Sequence, residues 1–197
     1  MTLLVMGNIL WVIAHSFKRV LPNLRNSLGN AGKGAVAVSL IFALVLIITG
    51  YRSAEYVVVW TPPNFLVHIN NILMVTAIFV FALGHTRGRL TGRLRHPMLT
   101  SVKIWAVAHL LVNGDLASLI LFGSMLAWAV LAVILINRSE TWTAPKPGNA
   151  KRDIVLVFMV VFIFLLLSAF HWFFGVWPFP GGLNEKILKV AQWLRQF

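Results

Sequence analysis

The longest apolar runs of this chain are long enough to cross a lipid bilayer, and this feature restricts its fold most. The run from Val155 to Leu167 contains no polar side chain. A membrane-spanning helix needs about 20 mostly apolar residues. Backbone groups inside lipid must be hydrogen-bonded within the segment, and the run does not alternate polar and apolar residues as a barrel strand does. The pattern therefore predicts membrane-spanning helices.

Six such segments can be drawn along the 197 residues. They are Leu3–Leu21, Ala35–Gly50, Leu66–Gly84, a short fourth segment Val102–Asn113, Leu116–Ile136 and Ile154–Val176. Only 11% of the residues are charged, about half the fraction in a soluble domain. At about 20 residues a span, little length remains for a soluble domain. We expect a single domain over 1–197, an all-α polytopic transmembrane helical bundle of about six spans.

The basic residues predict how this bundle is oriented. The connections after the first, third and fifth segments hold all but four of the 17 Lys and Arg residues, the exceptions being Arg52, Lys186, Lys189 and Arg195. Six spans place these three connections on one side. The positive-inside rule makes that side cytoplasmic and puts both termini outside. The first run has no basic residue before it, so we expect a retained span rather than a signal peptide.

The net charge of +12 does not indicate nucleic-acid binding here. The basic residues lie between apolar runs rather than on a soluble face, so they are better placed to meet anionic lipid headgroups. The chain has no cysteine, which excludes disulfides, iron–sulfur clusters and thiolate-ligated metals. Its five acidic residues disfavour paired-carboxylate catalysis and divalent-cation transport, since hard cations need oxygen ligands.

Two of the six histidines lie inside predicted spans beside small residues. Ionisable groups at membrane depth are costly and usually face the bundle interior or a cofactor. His15 lies three residues before Lys18, about 4.5 Å from the cytoplasmic boundary, and His109 lies six residues after Lys103, about 9 Å from it. Two neutral imidazoles at similar depth are suited to hold a b-type haem in a helical bundle. The alternative for each histidine is a hydrogen-bonded packing residue.

The other four histidines divide into two pairs by position. His68 and His171 are expected near the outer face and form a competing ligand pair. His85 and His96 are expected at the level of the lipid headgroups.

Three further segments carry polar residues. The turn Asn113-Gly-Asp115 is expected to end one helix and to cap the next with the Asp115 side chain. The alternative is a turn that dips below the membrane surface, where Asp115 would orient a ligand or accept protons. The amides of Asn70-Asn71 are expected to cross-link helices. The amphipathic segment Leu183–Phe197 is expected to lie on the outer membrane surface.

Several of these residues fall in blocks that resemble one known family. The stretch Gly84-His-Thr-Arg-Gly-Arg-Leu and the block from Arg95-His-Pro to Asn113-Gly-Asp resemble the NnrU family. Trp11-Val-Ile-Ala-His15 and Gly32-Lys-Gly extend the resemblance over nearly the whole chain, although the block ending at Asp115 is its specific part.

The resemblance implies a link to bacterial denitrification and to respiratory nitrite and nitric oxide reduction. The family has a relative, 15-cis-zeta-carotene isomerase, which carries a b-type haem and isomerises a cis double bond when the iron is reduced. By motif, its ligand histidines match His15 and His109. That enzyme has a cysteine three residues before the second histidine, where this chain has Ala106, so a cysteine-to-histidine ligand switch is impossible here.

Three hypotheses follow. The first is a haem-b protein of the bacterial inner membrane, with His15 and His109 as axial ligands and basic side chains that neutralise the propionates. These side chains are Lys18, Arg19 and Lys103, with Arg87 and Arg89 as weaker candidates. The second is a haem-dependent cis–trans isomerase of a carotenoid-like polyene. The third is a cofactor-free transporter or assembly factor. We expect a lipophilic or small-gas ligand, and either a redox partner or a second copy of the chain.

Overall fold

The computed structural model describes residues 1–176, which form seven helices and no strand. The helices are α1 (Thr2–Val20), α2 (Pro22–Ser27), α3 (Gly29–Arg52), α4 (Leu66–Leu83), α5 (Pro97–Val112), α6 (Leu116–Ser139) and α7 (Lys151–Phe173). The all-α prediction is therefore confirmed for this part of the chain. The predicted amphipathic segment Leu183–Phe197 lies outside the described residues.

Five of these helices, α1, α3, α4, α6 and α7, are long and apolar enough to cross a membrane. The remaining predicted span, the short fourth segment, corresponds to α5, which has 16 residues and is about 24 Å long. It nevertheless runs from one end of the bundle to the other, because the loops at its two ends pack against different sets of neighbours. Within residues 1–176, six helices thus pass between two opposite ends, and five of them are candidate membrane spans by length and composition.

One end of the bundle collects the three basic connections, and we call it the basic end. The loops 84–96 and 140–150 meet there, where the Gly148 amide donates to the Gly88 carbonyl at 2.9 Å. The end of α1 joins them through an ion pair of 3.3 Å between Arg19 and Glu140. The shared location is what the charge pattern predicts. Which side of the membrane this end faces stays a prediction.

The opposite end is built from the loop 53–65 and the turn 113–115. The amide of Val59 donates to the Gly114 carbonyl at 2.8 Å, and the amide of Leu116 donates to the Val57 carbonyl at 2.8 Å. Asp115 caps α6 by accepting a hydrogen bond of 2.9 Å from the Ser118 amide. This capping role was predicted, and it is confirmed.

The helices pack in the order α3, α1, α6, α5, α4, α7, each against the next. α1 and α3 approach closely at Gly50, where a Cβ atom would overlap the backbone of Leu4. Small residues allow such close contact between helices in a membrane. α6 lies centrally and packs against both α1 and α5, whereas no Cα atom of α1 comes within 8 Å of one in α5.

Several boundaries differ from those drawn on the sequence. α3 begins at Gly29 rather than Ala35, and α5 begins at Pro97 rather than Val102. Polar and basic residues can extend a helix beyond the lipid, and proline is favoured in the first helical turn. The short helix α2 was not predicted. The Asn70 amide donates to the Asn71 side chain at 3.1 Å, so this bond lies within α4 rather than between helices.

Candidate functional site

His15 lies on the face of α1 that packs against α6. Its Nδ1 atom is 3.1 Å from the carbonyl oxygen of Trp11, one turn earlier. Because a carbonyl oxygen only accepts, Nδ1 carries the proton and Nε2 keeps its lone pair. The imidazole centroid lies 4.3 Å from the Trp11 ring and 4.6 Å from the Trp128 ring of α6. The half-buried ring is thus held by one hydrogen bond and two indoles.

His109 has the same arrangement on α5. Its Nδ1–H donates to the Trp105 carbonyl at 3.0 Å, and its ring is 5.3 Å from the Trp105 ring. The ring also stacks on Phe122 of α6, with centroids 4.5 Å apart and an interplanar angle of 29°. Nε2 therefore keeps its lone pair here too, and a second aromatic side chain of α6 supports the imidazole.

The two histidines belong to matching pentapeptides, Trp-x-x-Ala-His. The first covers residues 11–15 and the second residues 105–109. In each one the alanine before the histidine is buried, Ala14 in α1 and Ala108 in α5. The match is visible in the sequence, although it is too short to stand out as an internal repeat. Its significance comes from the fold, which packs both copies against α6.

The structure shows how far His109 lies from the start of its helix. Because α5 begins at Pro97, His109 lies twelve residues, or about 18 Å, from the start of its helix. Lys103 lies inside α5, and the distance of about 9 Å between His109 and the cytoplasmic boundary stays a prediction. His15 and His109 contact Trp128 and Phe122, which are six residues apart on α6, so the two imidazoles lie about 9 Å apart along that helix.

Among the described residues, no hydrogen bond or ring contact joins His15 directly to His109; they are connected through α6. His171 lies near the end of α7, at the end of the bundle opposite the basic end. His68 is exposed in the first turn of α4, the helix against which α7 packs.

No group of three or more His, Asp or Glu side chains within residues 1–176 is placed to hold a metal ion.

The cations predicted to accompany the histidines lie toward the basic end. Lys18 is exposed, whereas Arg19 is partly buried and pairs with Glu140. Lys103 is partly buried in α5. Of the weaker candidates, Arg89 forms an ion pair with Asp153. Its side chain is therefore already engaged.

Polar atoms near His15 that the sequence did not single out are buried without a partner. They are both side-chain polar atoms of Asn8, Nε1 of Trp11 and Nε1 of Trp128, none of which has a hydrogen-bond partner within the described part of the chain. Asn8 lies two turns before His15 on α1 and is only 4% exposed. Unsatisfied buried groups of this kind usually indicate a bound water, ion or ligand. The polar Asn8 within an apolar run was the available signal.

A comparison with protein families decides what kind of chain this is. The family model described as NnrU protein matches residues 3–178. This chain belongs to the NnrU family. The match covers nearly all the described residues of this NnrU protein, including both Trp-x-x-Ala-His units. Comparisons with curated proteins and with solved structures gave no match.

Proposed function

We propose that this NnrU protein binds haem b in the bacterial inner membrane, with His15 and His109 as axial ligands, and serves nitrogen-oxide redox metabolism. The observation that carries the proposal is the matching arrangement of the two histidines. Each Nδ1–H is fixed to the carbonyl of a tryptophan one turn earlier. Each imidazole also rests on an aromatic ring of α6.

The chemistry of these side chains fits a bis-imidazole site. A metal-ligating histidine commonly donates its second ring N–H to a backbone carbonyl or a carboxylate, which fixes the tautomer and makes Nε2 a better ligand. The backbones of the two helices that carry the ligands are well separated, since no Cα atom of one comes within 8 Å of a Cα atom of the other, although side chains of both pack against the same core cluster. The unpartnered indole N–H groups of Trp11 and Trp128 belong to the rings that contact His15, and the unpartnered amide of Asn8 lies two turns earlier on α1.

The remaining residues of the site have complementary roles. Haem b supplies a redox-active iron when it is bound. Lys18, Arg19 and Lys103 are the cations that would neutralise its propionates, and Arg19 would share its charge with Glu140. Two imidazoles that both remain bound suit electron transfer, whereas one that dissociates leaves a position for a small gas such as nitric oxide. The connection to nitrogen oxides rests on family membership.

The test is an absorption spectrum of the full chain, purified after expression with excess haem precursor. We expect a Soret band that is lost or strongly altered in both His15→Ala and His109→Ala. His85→Ala is a matched control, because His85 also donates Nδ1–H to a carbonyl four residues earlier, at 3.0 Å, but is exposed. A colourless wild-type protein would sink the proposal, and so would equal loss of the band in the control.

A further inference from the structure

A cavity of about 640 Å³ lies at the basic end, between the loops 84–96 and 140–150. These loops are fitted closely to each other. Gly148 sits where a Cβ atom would overlap the carbonyl of Arg87, and its amide donates to Gly88 at 2.9 Å. The Arg95 guanidinium donates to the carbonyl oxygen of Glu140. The cavity is therefore formed by a defined loop–loop interface.

The wall of this cavity carries positive charge only. Its charged side chains are Arg87, Arg95 and Lys146, and no Asp or Glu is among the described residues that form it. The nearby acidic groups are engaged elsewhere, since Asp153 pairs with Arg89 and Glu140 with Arg19. Three cations around one concave space attract an anion, and the low-dielectric surroundings at a membrane strengthen that attraction.

A buried hydroxyl in the same wall lacks a partner. Thr86 lines the cavity and is only 4% exposed, yet its Oγ1 has no hydrogen-bond partner within residues 1–176. Burying a hydroxyl without a hydrogen bond costs free energy. An oxyanion bound in the cavity would accept a hydrogen bond from this group.

The start of α5 adds to the same preference. Pro97, the first residue of this helix, also lines the cavity, and the preceding residue, His96, makes no side-chain capping bond. Pro97 has no N–H to donate, so α5 contributes the positive end of its helix dipole and the amides of Met98 and Leu99, which follow Pro97. Phosphate groups are common ligands of such helix starts.

We infer that this cavity is a binding site for a phosphate group, and that the phosphodiester of an anionic phospholipid is the ligand that best fits its location. The loops that form it hold Leu90 and Leu94 as well as Trp142, a mixture typical of the membrane–water interface. Free inorganic phosphate has the same chemistry, so the experiment must separate the two sources. The cavity includes neither His15 nor His109, and of the cations considered for the propionates only the weaker candidate Arg87 lines it, so loss of phosphate binding and loss of the Soret band are distinguishable results.

The experiment compares two double variants that remove equal charge from the basic end. Arg87→Ala with Lys146→Ala removes two exposed cations of the cavity wall. Arg93→Ala with Lys151→Ala removes two exposed cations that lie outside it. Each full-length protein is titrated in detergent with phosphatidylglycerol and with phosphatidylcholine, and lipid binding is followed by native mass spectrometry. Inorganic phosphate is titrated separately at constant ionic strength, with thermal stabilisation as the readout.

We expect the wild type to prefer phosphatidylglycerol and the cavity variant to lose about thirtyfold in affinity, equivalent to about 1 kcal/mol for each cation. The control should keep most of its affinity. Thr86→Val should weaken binding without lowering stability in the absence of phosphate, because its hydroxyl has no protein partner to lose. A purely structural Thr86 would instead lower stability in both conditions.

The two ligand sources give different results. Preference for phosphatidylglycerol that only the cavity variant loses identifies the lipid. Stabilisation by inorganic phosphate that only the cavity variant loses, with equal binding of the two lipids, identifies the free anion. Equal losses of affinity in the two double variants would overturn the site, because the cavity would then bind no better than the rest of the basic surface. Failure of the wild type to bind either ligand would overturn it as well.

Discussion

The imidazole of His15 rests against the indole of Trp128, with ring centroids 4.6 Å apart and ring planes inclined by 59°. The Trp11 ring meets the same indole edge-on at 5.5 Å. Trp128 is buried and belongs to the core cluster that also contains Leu4 and Met125. The position of His15 is thus linked to the packing of α1 on α6.

Replacing Trp128 should therefore affect both stability and the histidine beside it. Trp128→Ala should lower the free energy of unfolding by about 2 kcal/mol, less than is usual in soluble cores because the separated helices remain in lipid. Trp128→Phe keeps an aromatic ring and should lose less. Thermal unfolding in detergent measures the loss of stability, and the Soret band reports the change at His15. An alanine variant as stable as the wild type would contradict this role.

The close approach of α1 and α3 gives a second prediction. Gly50→Ala places a methyl group against the backbone of Leu4, and forced separation of packed elements costs about 1–3 kcal/mol. Gly34→Ala is the matched control in the same helix, since no atom lies within 4 Å of its added Cβ. Thermal stability in detergent should fall for the first variant only. Equal behaviour of the two would mean that the helices do not meet at Gly50.

A third prediction concerns the hydrogen bond between the Tyr51 hydroxyl and Ser118 Oγ, which is 2.9 Å long. Ser118 is fully buried, so Tyr51→Phe removes its side-chain partner. The loss should be about 1 kcal/mol in the free energy of unfolding. Tyr56→Phe is the control, because that side chain is 74% exposed and its hydroxyl can bond to solvent. If both variants lose the same stability, the hydrogen bond contributes nothing specific.

The cap of α6 can be tested in the same way. Asp115→Ala removes the acceptor for the Ser118 amide and should cost about 1 kcal/mol. Asp115→Asn keeps a side-chain oxygen and should retain most of the stability, since asparagine is an equally good capping residue. Chemical unfolding of the two variants measures the difference. If Asp115→Asn lowers the stability as much as Asp115→Ala does, the charge of Asp115 rather than its capping hydrogen bond is responsible.

The sequence was sufficient to predict the helical class, the passes across the bundle and the collection of basic loops at one end. These depend on composition and charge, which act over whole segments such as Val155–Leu167. The cap at Asp115 was also predictable, because it depends on a few neighbouring residues.

Tertiary features were harder to predict. The apolar run predicted a span from Val102, but the helix begins at Pro97, since polar and basic side chains can remain within a helix that extends past the lipid. Trp128 and Phe122 lie in an apolar run without distinguishing neighbours, so nothing local identifies them as the residues beneath the two histidines. The cavity at the basic end depends on two loops about 50 residues apart, and no local pattern predicts their contact.

The proposed function requires that one haem is held by His15 and His109. Its most direct test is haem stoichiometry measured together with the reduced-minus-oxidised spectrum and the spin state of the iron. We expect one low-spin haem b per chain, lost or converted to high spin in His15→Ala and in His109→Ala but not in His171→Ala. Absence of haem from the wild type would contradict it, and so would a low-spin site that survives His15→Ala and disappears in His171→Ala.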